Sequence, residues 1–163
     1  MSEKTQKKDR IVTGIITVII LLLIGFNIFS YYGASIVLPG KAFPLVSGVD
    51  PESGKAASID FSKGTYIVDF WATWCGACVA EMDELNGISK KYPVYGVMKK
   101  PFKKDVYSAI SPQFGNVIVE DDLFNEYYIS VIPTTILVKD GVISKVRTGG
   151  ISAAIADEWF KDE

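Results

Sequence analysis

The sequence predicts an α/β domain, a mixed central β-sheet flanked by helices, preceded by one N-terminal transmembrane helix. Three observations lead there. No residue from Ile11 to Gly40 is charged, and Ile11–Phe29 is strongly apolar. Beyond that stretch, short apolar runs of strand length bracket a segment of helical spacing, giving strand, helix, strand. Two further apolar runs flank Asp140-Gly141, the strongest short hairpin signal in the chain. A βαβ unit followed by a hairpin needs parallel and antiparallel neighbours in one sheet.

The apolar stretch suits a membrane. A helix of about 20 residues rises about 30 Å, the thickness of a bilayer's hydrocarbon core. Before it stand Lys4, Lys7, Lys8 and Arg10 against Glu3 and Asp9. Excess positive charge stays on the cytoplasmic side, so the rest is expected outside. Tyr31 and Tyr32 fall where interfacial aromatics gather. A cleaved signal peptide is the alternative, but its apolar region would be shorter, roughly 7–15 residues. A cut near Ala34 would also put bulky Tyr32 at the −3 position, and no cysteine is available there for a lipid. The expected organisation is a basic cytoplasmic tail over 1–10, a single-pass anchor over 11–32, a linker over 33–40 and an outer domain over 41–163. Gly, Pro and Ser punctuate Gly33–Gly54, which reads as linker and first turns.

In the outer domain, Tyr66–Trp71 is a nearly continuous apolar run, expected as a strand buried on both faces. Cys75–Lys90 follows with helical spacing, Cys78, Met82, Leu85 and Ser89 forming one stripe. Val94–Met98 is the next strand. Phe102–Ile110 is predicted as a short helix ended by Pro112, and Asn116–Val119 as a short strand. Asp122–Tyr128 is predicted as another helix, capped by Asp121 or Asp122. Thr134–Val138 and Val142–Val146 are the arms of the hairpin. Gly149 and Gly150 break the chain before an amphipathic terminal helix over Ile151–Phe160.

Composition narrows the chemistry. A formal charge of −2 with no basic patch argues against nucleic acid as a partner. Histidine is absent from the 163 residues, removing the usual general base and the commonest metal ligand. The two cysteines, Cys75 and Cys78, are three apart, too close to staple a scaffold. Their spacing at a helix start gives a Cα separation of about 5 Å, within disulfide range. Cys75 would stand at the helix N-terminus, where free N–H groups and the macrodipole favour a thiolate. Cys78, one turn in on the apolar stripe, would be shielded and act second. A metal site competes with this reading, but zinc normally wants four Cys or His ligands. An inert buried dithiol fits poorly between an apolar strand and a helix start. The pattern implies no cofactor.

The segment Val68-Asp69-Phe70-Trp71-Ala72-Thr73-Trp74-Cys75-Gly76-Ala77-Cys78 resembles the thioredoxin active-site signature. Val131-Ile132-Pro133-Thr134-Thr135 resembles that family's cis-proline loop, and Lys139-Asp140-Gly141 with Gly149-Gly150 its closing hairpin and last turn. Together they cover roughly Lys41–Asp162. Within the superfamily the chain is most similar to membrane-anchored TlpA/ResA/CcmG-type oxidoreductases. Gly40-Lys41-Ala42-Phe43-Pro44 resembles their domain opening, the stretch from Ser58 to Gly64 the approach to their first central strand, and Glu81-Met82-Asp83-Glu84-Leu85 their helix sequence. Two positions depart from the pattern. Ala77 replaces thioredoxin's proline between the cysteines, and Asp83 replaces a proline common in the following helix, removing the usual cause of a kink.

The resemblance implies a thioredoxin fold and thiol–disulfide exchange. Cys75 would attack a client disulfide and Cys78 would resolve the mixed disulfide. Asp69, alone in an apolar strand, would exchange protons with Cys78, burial raising its pKa toward neutrality; a solvated acid at a strand end is the plainer alternative. Pro133 would follow a cis bond, and the backbone of Ile132 would pair with an extended client segment, Trp74 and Thr134 completing the client surface. Trp71 reads as core. Lys99, Lys100, Lys103 and Lys104 read as a solvated face rather than a docking site. Expected partners are client proteins bearing disulfides or thiols, including thiols awaiting haem attachment, and a membrane-embedded thiol carrier that supplies electrons. Net oxidation or isomerisation of DsbA type uses the same residues in reverse. A non-enzymatic anchored binding or metal-handover module is the remaining alternative, although copper delivery by comparable proteins recruits a histidine.

Overall fold

The structure, a computed structural model, describes residues 16–24 and 39–161. The chain divides into two units, Met1–Ile36 and Val37–Glu163. In the first, residues 16–24 are helical (α1), and Ile16 and Val18–Ile24 are each about half exposed. Among the described residues no helix is long and apolar enough to cross a membrane. The expected tail over 1–10, both ends of the expected anchor over 11–32 and most of the linker over 33–40 lie outside the described residues.

The second unit is built on a seven-stranded sheet ordered β2-β1-β5-β4-β3-β6-β7. The strands are β1 (Leu45–Val49), β2 (Ala56–Asp60), β3 (Thr65–Trp71), β4 (Val94–Lys99), β5 (Gly115–Val119), β6 (Thr134–Lys139) and β7 (Val142–Thr148). The helices are α2 (Gly76–Ala80), α3 (Met82–Ser89), α4 (Lys104–Ile110), α5 (Asp121–Glu126) and α6 (Ala153–Lys161). Strand β3 pairs parallel with β4 and antiparallel with β6, and β4 pairs parallel with β5. The sheet is mixed, as the element order predicts.

Alternation along β3 sorts the two faces. Val68 and Phe70 join Phe43, Phe61, Phe124 and Tyr127 in one core, where Phe43–Tyr127 and Phe70–Phe124 meet edge-on at 4.7 and 5.4 Å. Such pairs add about 1 kcal/mol each beyond the area they bury. Ile67 packs with Leu85, Ile88, Ile151 and Trp159 on the other face, and Trp71 with Cys78, Met82 and Tyr107. Asp69 shares that second face. Trp71 is core, fully buried, its indole N–H donating to Asn116 Oδ1 at 3.0 Å. A Cβ on Gly96 would lie 1.9 Å from that Oδ1, so glycine makes room for the pair.

The hairpin forms as expected, with Asp140 (φ 47°) and Gly141 (φ 76°) both left-handed, the geometry of a type I′ turn. Three expectations are corrected. The stretch read as linker and turns contains β1, and with β2 it makes an antiparallel hairpin at the sheet's edge. Gly48 looked like punctuation; instead it lies within β1, where a Cβ would meet Ile118 O at 2.2 Å. The helix predicted over Cys75–Lys90 is interrupted at Glu81 (φ −89°, ψ −4°), which closes α2 and opens α3 without any proline. Finally, α5 is preceded by Glu120 and carries no side-chain cap, so neither Asp121 nor Asp122 caps it.

Candidate active site

The site sits at the C-terminal end of β3, between that strand's exit and the start of α2. Ala72 O accepts from Cys75 N at 3.1 Å, turning the chain so that Cys75 becomes the N-cap of α2. Cys75 and Cys78 are joined as a disulfide with Cα atoms 5.2 Å apart, close to the spacing that helix geometry predicts. The sulfur of Cys75 also accepts from the backbone N–H of Cys78 at 3.2 Å. That N–H is one of the unpaired donors of a helix start and would stabilise a thiolate there. Cys75 is 9% exposed and Cys78 is fully buried, so any approach from solvent reaches the first sulfur.

Across from the sulfurs, the Ile132–Pro133 bond is cis. The carbonyl oxygen of Ile132 lies 3.8 Å from Cys75 Sγ. Thr134 is buried and its hydroxyl donates to Val131 O at 2.7 Å, so its side chain holds the loop from within. Gly149 N donates to Pro133 O at 2.8 Å, tying the loop to the turn after β7. Trp74 is 43% exposed, and its indole donates to Lys100 O at 3.2 Å. Lys100 precedes a second cis proline, Pro101. Thr73 Oγ1 accepts from Lys103 N at 2.9 Å, fastening the same segment to the site. Of the four lysines nearby, Lys100 pairs with Glu120, and Lys99 reaches Asp121 at 3.8 Å.

Asp69 is fully buried. Its Oδ1 accepts from Thr135 Oγ1 at 3.1 Å, and its Oδ2 has no hydrogen-bond partner. Burial pushes its pKa well above the usual carboxylate range, the charge of Glu81 pushes it further, and the Thr135 bond offsets part of this. Glu81 is the residue that sequence reasoning missed. Both its carboxylate oxygens are buried and lack a hydrogen-bond partner. Its pKa rises to about 7, chiefly from burial. The Ile151 N–H lowers it in part, although it stands outside hydrogen-bonding geometry with either oxygen. The signal available in the sequence was position: Glu81 falls one turn beyond Cys78, beside the Cys78–Met82 stripe that faces the sheet.

A disulfide-bonded sulfur pair at a helix start, the Ile132 carbonyl before a cis proline facing it and a buried acid in the strand that leads to it define a thiol–disulfide oxidoreductase. The chain belongs to the thioredoxin family, whose family model matches residues 54–161. It is 28% identical to the thiol-disulfide oxidoreductase ResA of Geobacillus thermodenitrificans, over 88% of this chain and 90% of the relative. It is 24% identical to the sporulation thiol-disulfide oxidoreductase A of Bacillus subtilis, over 74% and 81%. Among solved structures, a thioredoxin family thiol:disulfide interchange protein of Chlorobium tepidum superposes with a TM-score of 0.63 at 26% identity, covering 77% of this chain and 97% of that one. The thioredoxin domain of a thiol-disulfide oxidoreductase from Bacteroides vulgatus gives 0.65 at 25%, covering 77% and 99%.

Proposed function

We propose that this protein reduces disulfides of client proteins outside the cytoplasm while anchored by its N-terminal segment. The observation that carries the reading is the Cys75–Cys78 pair at the N-cap of α2, facing the Ile132 carbonyl before cis Pro133. In the dithiol state, the Cys75 thiolate attacks one sulfur of a client disulfide. A mixed disulfide forms, and the first client sulfur leaves as a thiolate. Cys78 then loses its proton to Asp69 and attacks Cys75 Sγ, which regenerates the Cys75–Cys78 bond and frees the second client thiolate. The backbone of Ile132 holds the client in extended form, Pro133 and Thr134 shape that edge, and Trp74 flanks it. Two electrons then return from a dithiol carrier, for which a membrane-embedded thiol protein is the expected partner. Thiols awaiting haem attachment are one class of client this chemistry would serve.

Support for anchoring comes from the uncharged run Ile11–Gly40, the positive residues before it, and the exposed apolar surface of α1. Such a surface is costly in water and at home in lipid. The test is trapping in cells. Cys78→Ser in the full chain should accumulate mixed disulfides through Cys75, identifiable by mass spectrometry, while the wild type should stand mostly as dithiol. A wild type standing mostly as disulfide would reverse the direction and make the protein an oxidant. Full biological activity in Cys75→Ser would defeat the enzymatic reading.

A further inference from the structure

We infer that Tyr128 is a specificity-determining residue, its ring extending the client surface outward from Ile132 to meet an apolar side chain of the client's own segment. The inference rests on the proposed exchange reaction and adds what that reaction selects. Tyr128 stands where a side chain is costly. Helix α5 ends in a Schellman turn: Tyr128 N donates to Asn125 O at 3.1 Å, and Ile129 N to Phe124 O at 2.8 Å. Such a turn needs a left-handed residue just past the helix, and Tyr128 supplies it with φ 55°. Glycine or asparagine fills that position at least cost, and a bulky ring is an outlier there. Backbone strain of this kind persists where the side chain has a task.

Packing does not account for the ring. Tyr127 and Ile129, on either side, are buried in the core, whereas Tyr128 is 50% exposed. Lys41 does not require it either. The Lys41 ammonium donates to Glu126 O and lies over the Tyr127 ring at 4.5 Å, nearer than the 5.2 Å to Tyr128. Lys41 instead braces the exposed ring.

Two observations tie the ring to the sulfur site. Four residues separate Tyr128 from Ile132, which places it within about 14 Å even along extended chain. Between them Val131 is 53% exposed. In addition, no residue from Tyr127 to Val138 is charged, so Tyr128, Ser130 and Val131 form a neutral, largely apolar edge. A client strand paired with the Ile132 backbone advances about 3.3 Å per residue. Its side chains two to four positions from the reacting cysteine therefore come within reach of Val131 and Tyr128. An apolar one gains by covering them; a polar one finds no charged partner along that edge.

The experiment uses the full chain and steady-state reduction of three substrates. One is a peptide disulfide with leucine at the second and fourth residues from its reacting cysteine. The others are the same peptide with glutamine at both positions, and a small disulfide. Wild type should show the lower KM for the leucine peptide. Tyr128→Gly should raise that KM about fivefold, the scale of one interface side chain, and erase the preference over glutamine. Its kcat and its turnover of the small disulfide should stay unchanged, and Tyr128→Phe should behave as wild type. Stability should move the opposite way: Tyr128→Gly should melt a few degrees higher, because glycine suits the left-handed turn. An unchanged KM for the leucine peptide in Tyr128→Gly, or a lowered melting temperature, would overturn the assignment. So would a wild-type dimer that Tyr128→Gly dissolves, which would give the ring to a second copy of the chain. A wild type inactive on all three substrates would instead overturn the exchange reaction itself.

Discussion

The two sides of the sulfur pair differ in what surrounds them. Above Cys75 lie exposed Trp74 and the Ile132 carbonyl, 3.8 Å from its sulfur. Below Cys78 lie Asp69 and Glu81, with three carboxylate oxygens sealed from solvent and unpaired. Unpaired buried carboxylates cost stability unless they are protonated. Under the proposed exchange reaction, the upper side meets the client's sulfur and the lower side takes up the Cys78 proton. One five-residue helix, α2, separates the two tasks.

Removing the upper sulfur breaks this division most severely. Cys75→Ser should drop disulfide reduction to the uncatalysed background, whereas Cys78→Ser should keep the first attack and stall as a mixed disulfide; nonreducing gels with a labelled client distinguish them. Next in size, Asp69→Asn should slow the resolving step about 10²-fold near neutral pH while Cys75 alkylation keeps its rate. Trp74→Ala should sharpen the contrast from above: KM for a protein client should rise about 5-fold, the scale of one modest interface contact, with turnover of a small disulfide unchanged. The smallest effect concerns stability. The pKa of Glu81 rises from 4.5 to about 7 on folding, so the folded state holds its proton more tightly. That contribution is complete below about pH 4.5 and is lost as pH climbs through 7. Thermal melts should therefore show wild type falling behind Glu81→Gln by a few degrees at pH 8, with the gap closing near pH 5.

The parts of this site that could be read from residues alone are those carried by local chemistry. Cys75 and Cys78 announce themselves by spacing, Pro133 by its flanking residues, and Asp140-Gly141 by a turn that demands left-handed backbone. Asp69 stood out because an acid inside an apolar strand has few reasons to be there. What escaped notice depends on distant partners. Glu81 looks like any helix-surface acid until Gly150, 69 positions later, leaves room for it. Gly48 looks like a turn until β5 comes within 2.2 Å of where its side chain would be. Strand β2, Ala56-Ala57-Ser58-Ile59-Asp60, has Ile59 as its one β-branched residue and no aromatic, and pairing with β1 supplies what propensity does not.

The hairpin turn at Asp140-Gly141 fixes where the chain enters the domain. Gly141 O accepts from Phe43 N at 2.7 Å, Ile143 O from Gly40 N at 2.7 Å, and Asp140 is bonded to Gly64 through both backbone and side chain. All of these contacts gather at the first residue of β3, whereas the sulfurs stand past its last. Seven residues of strand set the two ends apart by about 23 Å. Residues 40–43 therefore join the domain at the foot of β3, the end of that strand opposite the sulfurs.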